Sequence, residues 1–479
     1  MEKSRWEISH KISSLIIILF SFLSLNLYRV DALGPTYKIL TTPDYAPFEF
    51  TNGEGELIGI DVEILQAIAR DQKFNVEFNT MPFSSGIQAL ESNQADGMIA
   101  SLGITKERQK AFDFSEPYFE VGSMFAVKKE SSIDQLEDLK GKNVATKIGS
   151  QGADIAAKLR DQYGYSITTF EDSVNMYQDV IAGNSVAVIE DYPVMAYAAK
   201  TKTIDLKLIG EEIEKMPLGL AVNKGHNEEL LTKFNQGLKN IKDSGEYDKI
   251  LEKYIGDEVK EVDSTFLGQL TDNLPALLKG LGQTVLITII SLMIAFIFGT
   301  LLGLMKGSRN VVLSNISTIY VDIMRGLPLL VLAFFIYFGL PQITGIKISA
   351  FLSGILTLGL NAAAYVAEIV RGGVQSIAEG QMEAGRSLGL SRRTTMRKII
   401  LPQALRVMIP SFINQFIITL KDTSILSVIG LVELTQTGRI IIARTYQSGS
   451  MWLIVGLIYI LVISILTKLS NRIEKEVTN

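Results

Sequence analysis

Two kinds of hydrophobic pattern divide the chain. Between Tyr37 and Gly256, short β-rich apolar runs alternate with stretches in which apolar residues recur at helical spacing. This alternation is typical of an α/β domain. After residue 274 the apolar runs become long enough to cross a membrane. The pattern therefore predicts an α/β domain followed by an all-α transmembrane domain.

The α/β part contains a series of short predicted strands. Its first strand is expected at Lys38–Thr42, and the stretch Asp61–Arg70 has the apolar spacing and the acidic start of a helix. Polar loops follow three further apolar runs, and in open α/β sheets ligands bind beyond the carboxyl ends of strands. A site is therefore expected in these loops. The three runs are Gly97–Ala100, Asn143–Thr146 and Val186–Ile189.

Five apolar runs predict five membrane spans. Lys306 and Arg309 follow the first run, and Lys468, Arg472 and Lys475 follow the last, so both of these ends are expected on the cytoplasmic side. The predicted spans are about Leu281–Met305, Leu327–Leu340 extended backward over Ile319–Met324, Ile348–Val370, Val407–Leu420 and Met451–Leu469.

The first 32 residues have the pattern of a signal peptide. Lys3, Arg5 and Lys11 precede or open an apolar run from Ile12 to Leu25. An uncleaved first helix is the alternative, and in both cases the α/β domain is exported. The predicted organisation is a signal peptide or anchor at 1–32, the α/β domain at 33–256, a polar linker at 257–265 and the membrane domain at 266–479.

Charge and composition exclude several classes of function. The 479 residues carry a net charge of −5, but from Thr265 onward Lys and Arg outnumber Asp and Glu by 18 to 9. No basic patch is interleaved with aromatic residues, so nucleic acid is not an expected partner. The sequence has no cysteine and only two histidines, His10 and His226, which argues against a metal site, a disulfide and a histidine-based catalytic triad.

Five motifs follow one another along the α/β domain: Tyr45–Phe50, Gly59–Asp61, Gly103–Arg108, Phe112–Tyr118 and Gly245–Lys249. Their order and spacing resemble those of the periplasmic-type binding proteins for polar amino acids. The resemblance implies that 33–256 is a solute-binding domain with a two-lobed, type II receptor fold. It also implies that two crossing strands, near Ser123–Val127 and Leu218–Val222, join the lobes, which close on the ligand by a hinge motion.

The resemblance also implies a set of ligand-binding residues. Arg108 stands where the family places the planar fork that binds an amino acid's carboxylate, and Asp191 stands where it places the ammonium acceptor. These two come from different lobes. The other matched positions are Tyr45 and Phe83 for aromatic contacts, Ser101 and Gly103 for hydroxyl and backbone contacts, and Ser150 and Gln151 at an expected helix N-terminus.

The predicted specificity leaves two classes open. Lys147 matches a position that carries Lys in glutamine-binding members, and Thr42 replaces an Asp that receptors for cationic amino acids tend to carry. Both favour glutamine, glutamate or asparagine. Glu190 and Asp44 point toward arginine, lysine or histidine, because either carboxylate can pair with a cationic side chain.

The basic segment at about 372–402 carries a second resemblance. Glu383, Ala384 and Gly385, followed by Gly389, resemble the coupling loop by which ABC importer permeases dock on a separate ATPase. The family usually has Ala at the position of Gly385, so we expect the Gly to loosen a short helix. Close variants of permease motifs of the histidine/glutamine type accompany it at Arg325–Pro328, Asn361–Glu368, Arg371–Gln375 and Lys421–Ile425.

These resemblances imply a receptor and permease subunit of an ABC importer on one polypeptide. The sequence contains no Gly-x-x-x-x-Gly-Lys-Ser/Thr motif, so ATP and magnesium are expected only in a partner ATPase and no cofactor is expected on this chain. A homodimer with two ATPase copies in the plasma membrane is predicted, in contact with lipid and with a free amino acid as ligand. A ligand-gated channel or a membrane sensor is the remote alternative.

Overall fold

The fold of residues 34–201, 206–255, 265–308 and 310–478 is described from a computed structural model. The predicted signal peptide or anchor at 1–32 and nearly all of the predicted linker at 257–265 lie outside the described residues. What remains is the two-lobed receptor followed by the helical membrane domain, as the sequence predicts.

The described residues of the receptor form thirteen strands in two five-stranded sheets and one small sheet. The central strands bury β-branched and aromatic side chains, for example Ile39 in β1 and Phe125 in β8, which are both 0% exposed. The strands are β1 Thr36–Thr41, β2 Asp44–Tyr45, β3 Glu49–Thr51, β4 Leu57–Ile58, β5 Asn75–Thr80, β6 Gly97–Met98, β7 Phe112–Phe114, β8 Phe119–Lys128, β9 Asn143–Lys147, β10 Ser166–Phe170, β11 Ala187–Asp191, β12 Leu206–Leu218 and β13 Ala221–Asn223.

The first lobe is built on the sheet β5-β1-β6-β13-β7, and the second lobe on β10-β9-β11-β8-β12. Strand β1 runs parallel to β5 and β6, and β9 runs parallel to β10 and β11. Strands β8 and β12 pair antiparallel from Leu206 with Lys128 to Leu218 with Phe119. The chain crosses between the lobes from β7 to β8 and from β12 to β13. The predicted Leu218–Val222 includes the second crossing, whereas the predicted Ser123–Val127 lies within the second-lobe sheet.

Seven helices cover the receptor sheets. Helix α1 shows why they form: Ile60, Ile64, Leu65 and Ile68 recur on one face and are all 0% exposed, and the helix ends at Lys73 in a left-handed conformation. The helices are α1 Ile60–Gln72, α2 Phe83–Glu91, α3 Gln151–Tyr163, α4 Ser173–Ala182, α5 Tyr192–Lys200, α6 Glu228–Asp243 and α7 Glu246–Ile255.

The membrane domain is helical, and its bounds correct the predicted spans. The first helix starts fifteen residues before the predicted apolar run. Helix α16 was not predicted, since it is short and half polar. The helices are α8 Phe266–Lys306, α9 Val311–Gly326, α10 Leu329–Phe334, α11 Leu340–Thr344, α12 Ala350–Gln375, α13 Glu379–Ser387, α14 Arg392–Thr395, α15 Leu401–Asp422, α16 Leu434–Thr445 and α17 Ser448–Thr478.

Among the described residues, five segments are long and apolar enough to span a membrane if one bent pair counts as a single span. That pair, Val311–Gly326 with Leu329–Thr344, bends by 103°. The break falls at Leu327 and Pro328 because the proline ring forces Leu327 into an extended conformation with ψ 130°. The predicted second span was therefore correct in place and wrong in shape.

Two glycines let the long helix α8 approach α12 closely. A Cβ on Gly299 would lie 2.6 Å from the carbonyl oxygen of Ala363, and one on Gly303 would lie 2.6 Å from that of Ala367. Small residues four positions apart are typical of tightly packed membrane helices. Because the obstructing atoms belong to the backbone, they cannot move aside as a flexible side chain would.

The receptor rests on the membrane domain through both of its lobes. The Gln94 amide of the first lobe donates to the carbonyl oxygen of Tyr337 at 2.9 Å. The Gln178 amide of the second lobe donates to that of Tyr446 at 3.1 Å, and the Tyr446 ring meets the Tyr177 ring edge-on at 5.3 Å between centroids. The membrane domain thus contacts the receptor on both sides of its cleft.

We expect Gly303→Ala to destabilise the membrane domain by about 1–3 kcal/mol, because the added methyl group overpacks the α8–α12 contact. Gly282→Ala in the same helix is the matched control, since nothing lies within 4 Å of a Cβ there. The free energy of unfolding of the control should rise by up to about 1 kcal/mol, because alanine has a higher helix propensity than glycine. Thermal unfolding of the purified chain in detergent measures both, and equal midpoints would contradict the packing argument.

Candidate functional site

The structure brings nine of the ten predicted ligand-binding residues to one pocket between the lobes. They lie at strand ends and in the loops that follow: Lys147 ends β9, Asp191 ends β11, and Ser101 follows β6. The tenth, Glu190, is 2% exposed and lies directly behind the pocket. The nine lining residues are Tyr45, Phe83, Ser101, Gly103, Arg108, Lys147, Ser150, Gln151 and Asp191.

The Tyr45 hydroxyl joins the two lobes. It lies 2.7 Å from Glu190 Oε1 and 2.7 Å from Asp191 Oδ2, both in the second lobe. A phenol has one proton to donate, so it forms a full hydrogen bond to only one of two ionised carboxylates at this distance. Burial, and then the neighbouring Glu190, raise the pKa of Asp191 to about 6.

Lys147 is held in the same network. Its ammonium donates to Ser173 Oγ at 3.1 Å, and the Ser173 hydroxyl donates to Glu190 Oε2 at 3.1 Å. The ammonium also lies 3.9 Å from the centre of the Tyr45 ring, a favourable cation–π contact. Glu190 thus accepts hydrogen bonds from Tyr45 and Ser173, and Ser173 connects it to Lys147.

Arg108 spans the cleft from the first lobe. Its Nη1 donates to the Gly103 carbonyl oxygen at 2.8 Å, and its Nη2 donates to that of Gly149, in the second lobe, at 2.7 Å. The guanidinium also lies 5.7 Å from the centre of the Phe83 ring. Both donors are thus occupied by backbone carbonyl oxygens, one in each lobe, and they become available to a carboxylate when these contacts break.

Two buried carboxylic acids position Ser101. The Ser101 N–H donates to Asp61 Oδ2 at 2.7 Å and its hydroxyl donates to Glu49 Oε2 at 3.3 Å. The residue has φ +48°, a conformation that is uncommon for a residue other than glycine. Glu49 and Asp61 are both 0% exposed, so the strained turn is held by groups that water does not reach.

The lobes are closed on one another in this structure. The space among the pocket side chains is about 30 Å³, close to the volume for one water molecule. An amino acid therefore enters only when the lobes part and the contacts of Tyr45 and Arg108 across the cleft are broken. Ser84 and Glu171, which join the lobes at 3.0 Å, must separate in the same motion.

Sequence reasoning missed some pocket residues and misplaced others. Ser123 donates to Asp191 Oδ1 at 3.3 Å, and its position as a buried hydroxyl on strand β8 could have indicated it. Thr42 donates to Glu49 Oε1 at 2.9 Å and does not line the pocket. Asp44, which we expected near the ligand's side chain, instead faces the membrane domain. The unpredicted lining residues are Ala100, Val121, Met216 and Leu218.

The predicted coupling residues lie on and after helix α13. Glu383 and Ala384 are exposed on this helix, and Gly389 has φ +79° in the turn to α14. The Leu390 N–H donates to the Gly385 carbonyl oxygen, which closes the helix end in the manner typical of a left-handed glycine. The segment is therefore a defined helix–turn–helix with an exposed face.

Gly385 does not loosen this helix, contrary to the expectation from the sequence. It is the one buried residue of α13, and a Cβ there would lie 2.5 Å from Thr395 Cγ2 and 2.9 Å from Thr395 Oγ1. The glycine lets α13 and α14 pack against each other. Thr395 occupies the space that an alanine methyl group would need.

Two family models cover most of the chain. Bacterial extracellular solute-binding proteins, family 3, match residues 37–257, and the binding-protein-dependent transport system inner membrane component matches residues 299–479. The glutamine transport system permease protein GlnP of Escherichia coli (strain K12) is 37% identical over 203 residues, which are 42% of this chain and 93% of that permease. The chain belongs to the family of polar amino acid ABC importers. Its receptor and permease are fused on one polypeptide.

Relatives of the importer's receptor half are also known. The arginine-binding periplasmic protein of Mannheimia haemolytica is 36% identical over 223 residues, which are 46% of this chain and 90% of that protein. A solved structure, an ancestral arginine-binding protein bound to arginine, is 39% identical, covers 46% of this chain and 98% of its own, and has a TM-score of 0.44. Sequence relatives of the two halves thus occur as separate proteins.

The raised pKa of Asp191 predicts a pH-dependent stability of the receptor segment 34–255. Since its folded pKa of about 6 lies above the ordinary value of 3.8, folding favours the protonated acid. The contribution of Asp191 to stability is full below about pH 4 and is lost as the pH rises through 6. The free energy of unfolding of the unmodified segment should fall by on the order of 2 kcal/mol between pH 4 and pH 7 because of Asp191. We expect Asp191→Asn to remove this fall.

Urea unfolding of the ligand-free segment and of the Asp191→Asn variant across this pH range measures the difference. Asp154→Asn, in the first turn of α3, is the matched control, and it should retain the pH dependence of the unmodified segment. The raised pKa of Asp191 would be contradicted if the free energy of unfolding changed with pH equally in the unmodified segment and in Asp191→Asn.

Proposed function

We propose that this importer captures glutamine, or the related glutamate or asparagine, outside the cell and passes it inward. One observation carries the proposal: Arg108 and Asp191 come from opposite lobes and line one closed pocket. A zwitterion offers a carboxylate to the first and an ammonium to the second. Binding therefore stabilises the closed lobes by bridging them.

The balance of charge in the pocket supports an uncharged side chain. Arg108 and Lys147 supply two cations, while Glu190 and Asp191 supply two carboxylates. A zwitterion with an uncharged side chain leaves this balance unchanged, whereas arginine adds a buried positive charge beside Lys147. Glu190 already accepts hydrogen bonds from Tyr45 and Ser173, so it is poorly placed to pair with the positive charge of an arginine ligand.

Arginine is the second candidate ligand. The similarity to the arginine-binding periplasmic protein supports it, because that relative matches almost the whole receptor. The similarity of the permease half to a glutamine permease supports the first candidate. Both candidates use the same pocket and the same pair of α-carboxylate and ammonium partners.

The importer is proposed to work as a homodimer in the plasma membrane, with the receptor outside and the C-terminus in the cytoplasm. The basic residues around α13 and α14 support this orientation. The exposed face of α13 is proposed to dock on a separate ATPase, which supplies ATP and magnesium. The alternating access of the permease then follows from ATP hydrolysis in that partner.

We expect calorimetric titration of the segment 34–255 to show tight binding of glutamine and weaker or no binding of arginine and histidine. Arg108→Ala should weaken binding at least a hundredfold, because it removes a bidentate carboxylate contact. Lys110→Ala, in the same short helical turn but paired with Glu107 at the surface, is the matched control. Tight binding of arginine would overturn the ligand class, and binding of no amino acid would overturn the receptor role.

Charge reversal at Glu383 separates coupling from capture. We expect Glu383→Lys to abolish ATP-driven uptake in proteoliposomes while ligand affinity stays unchanged, since Glu383 is exposed on α13 of the permease and does not line the receptor pocket. Gln381→Lys introduces a lysine in the same helix on the side that faces Gln403 and should be milder. Loss of ligand binding in Glu383→Lys would contradict the separation of the two roles.

A further inference from the structure

A second cavity lies between the receptor and the permease. Its volume is about 710 Å³, within the range of cavities that hold small ligands. We call it the transfer chamber. Asp44 and Asp172 line it from the receptor, and Gln436 and Arg439 line it from helix α16 of the permease. Neither part of the chain forms the chamber alone.

The transfer chamber adjoins the receptor pocket. Asp44 lines the chamber, and its neighbour Tyr45 lines the pocket. In the second lobe, Ile148 lines the chamber and its neighbour Lys147 lines the pocket. Tyr45 and Lys147 therefore separate the pocket from the chamber, and an amino acid that passes between them when the lobes part moves toward the chamber.

Arg439 is a cation with no partner of its own. It forms no hydrogen bond or ion pair with any residue in 34–201, 206–255, 265–308 or 310–478. Its charge acts on Asp44: burial and Asp172 raise the pKa of that carboxyl to about 6, and Lys147 and Arg439 oppose part of the rise. A guanidinium with free donors in a cavity is suited to a carboxylate.

Gln436 presents the complementary chemistry. Its side chain is 4% exposed, and its Oε1 accepts no hydrogen bond from the described part of the chain. A buried acceptor without a donor is costly unless a ligand supplies one. Gln436 Oε1 and the Asp44 carboxylate can both accept from an ammonium group, while the rings of Phe334 and Phe338 line the chamber for a side chain.

We propose that the transfer chamber is a second binding site for the transported amino acid, with Arg439 as the carboxylate partner and Gln436 and Asp44 as the ammonium partners. The proposal rests on the proposed function, because it takes the same class of zwitterion. Since its walls come from both receptor and permease, the site exists only while the two are docked. It holds the amino acid after the receptor releases it and before the permease admits it.

Equilibrium dialysis of radiolabelled glutamine, and separately of arginine, against the full chain in lipid nanodiscs tests the proposal. We expect two classes of site per chain, one tight and one weak. Arg439→Ala should weaken the weak class at least tenfold and leave the tight affinity unchanged. Gln436→Met, which keeps the side-chain volume, should act in the same direction. It also serves as a second test if Arg439→Ala fails to elute as a folded particle.

Lys347→Ala is the matched control, because Lys347 is another permease cation beside the receptor, 3.7 Å from Asp96. It should leave both classes unchanged. A single tight class in the unmodified chain, or a weak class that survives Arg439→Ala and Gln436→Met, would overturn the transfer site while the receptor function stands. Absence of both classes would overturn the proposed function itself.

Discussion

One phenolic hydroxyl, shared by two carboxylates, is central among the contacts that hold the receptor closed. Tyr45 belongs to the first lobe, and its hydroxyl lies 2.7 Å from two carboxylates of the second lobe. Because that hydroxyl has a single proton, the contact is incomplete, and the carboxylate of Asp191 remains available to a better donor. An ammonium group has three N–H donors and a full charge, so a ligand can satisfy what Tyr45 leaves unsatisfied.

The permease holds each lobe of the receptor separately. Gln94 of the first lobe and Gln178 of the second lobe each donate a hydrogen bond to a backbone carbonyl of the permease. Parting of the lobes therefore changes at least one of these contacts. Ligand binding, lobe closure and docking are thereby linked through rigid-body motion.

Much of this arrangement follows from the sequence, and the reasons differ from residue to residue. Arg108 and Asp191 were predicted because a family pattern surrounds each of them. Ser173 was not, since a serine at the start of a helix looks like an ordinary helix terminus until Lys147 and Glu190 are seen to meet there. Ser173 lies 26 positions after Lys147 and 17 positions before Glu190, so their contact leaves no local pattern in the sequence.

The membrane domain shows the same limit. Hydropathy located the spans but not the 103° bend at Leu327 and Pro328, because an average over many residues does not register a single break. It also passed over helix α16, which is short, half polar and packed against strands β2 and β3 of the receptor. Gly385 was judged by helix propensity alone, whereas its role depends on Thr395, a tertiary neighbour.

Binding of a ligand is expected to close the two lobes of the receptor while the receptor remains fused to its own permease. The chain has no cysteine, so spin labels can be placed at two chosen sites without removing native thiols. Glu107 of the first lobe and Asp161 of the second have side chains 83% and 87% exposed. Electron–electron distance measurement between labels at Glu107→Cys and Asp161→Cys in the full chain should show a shorter, narrower distribution with glutamine than without it. A distribution that neither glutamine nor arginine changes would contradict this expectation.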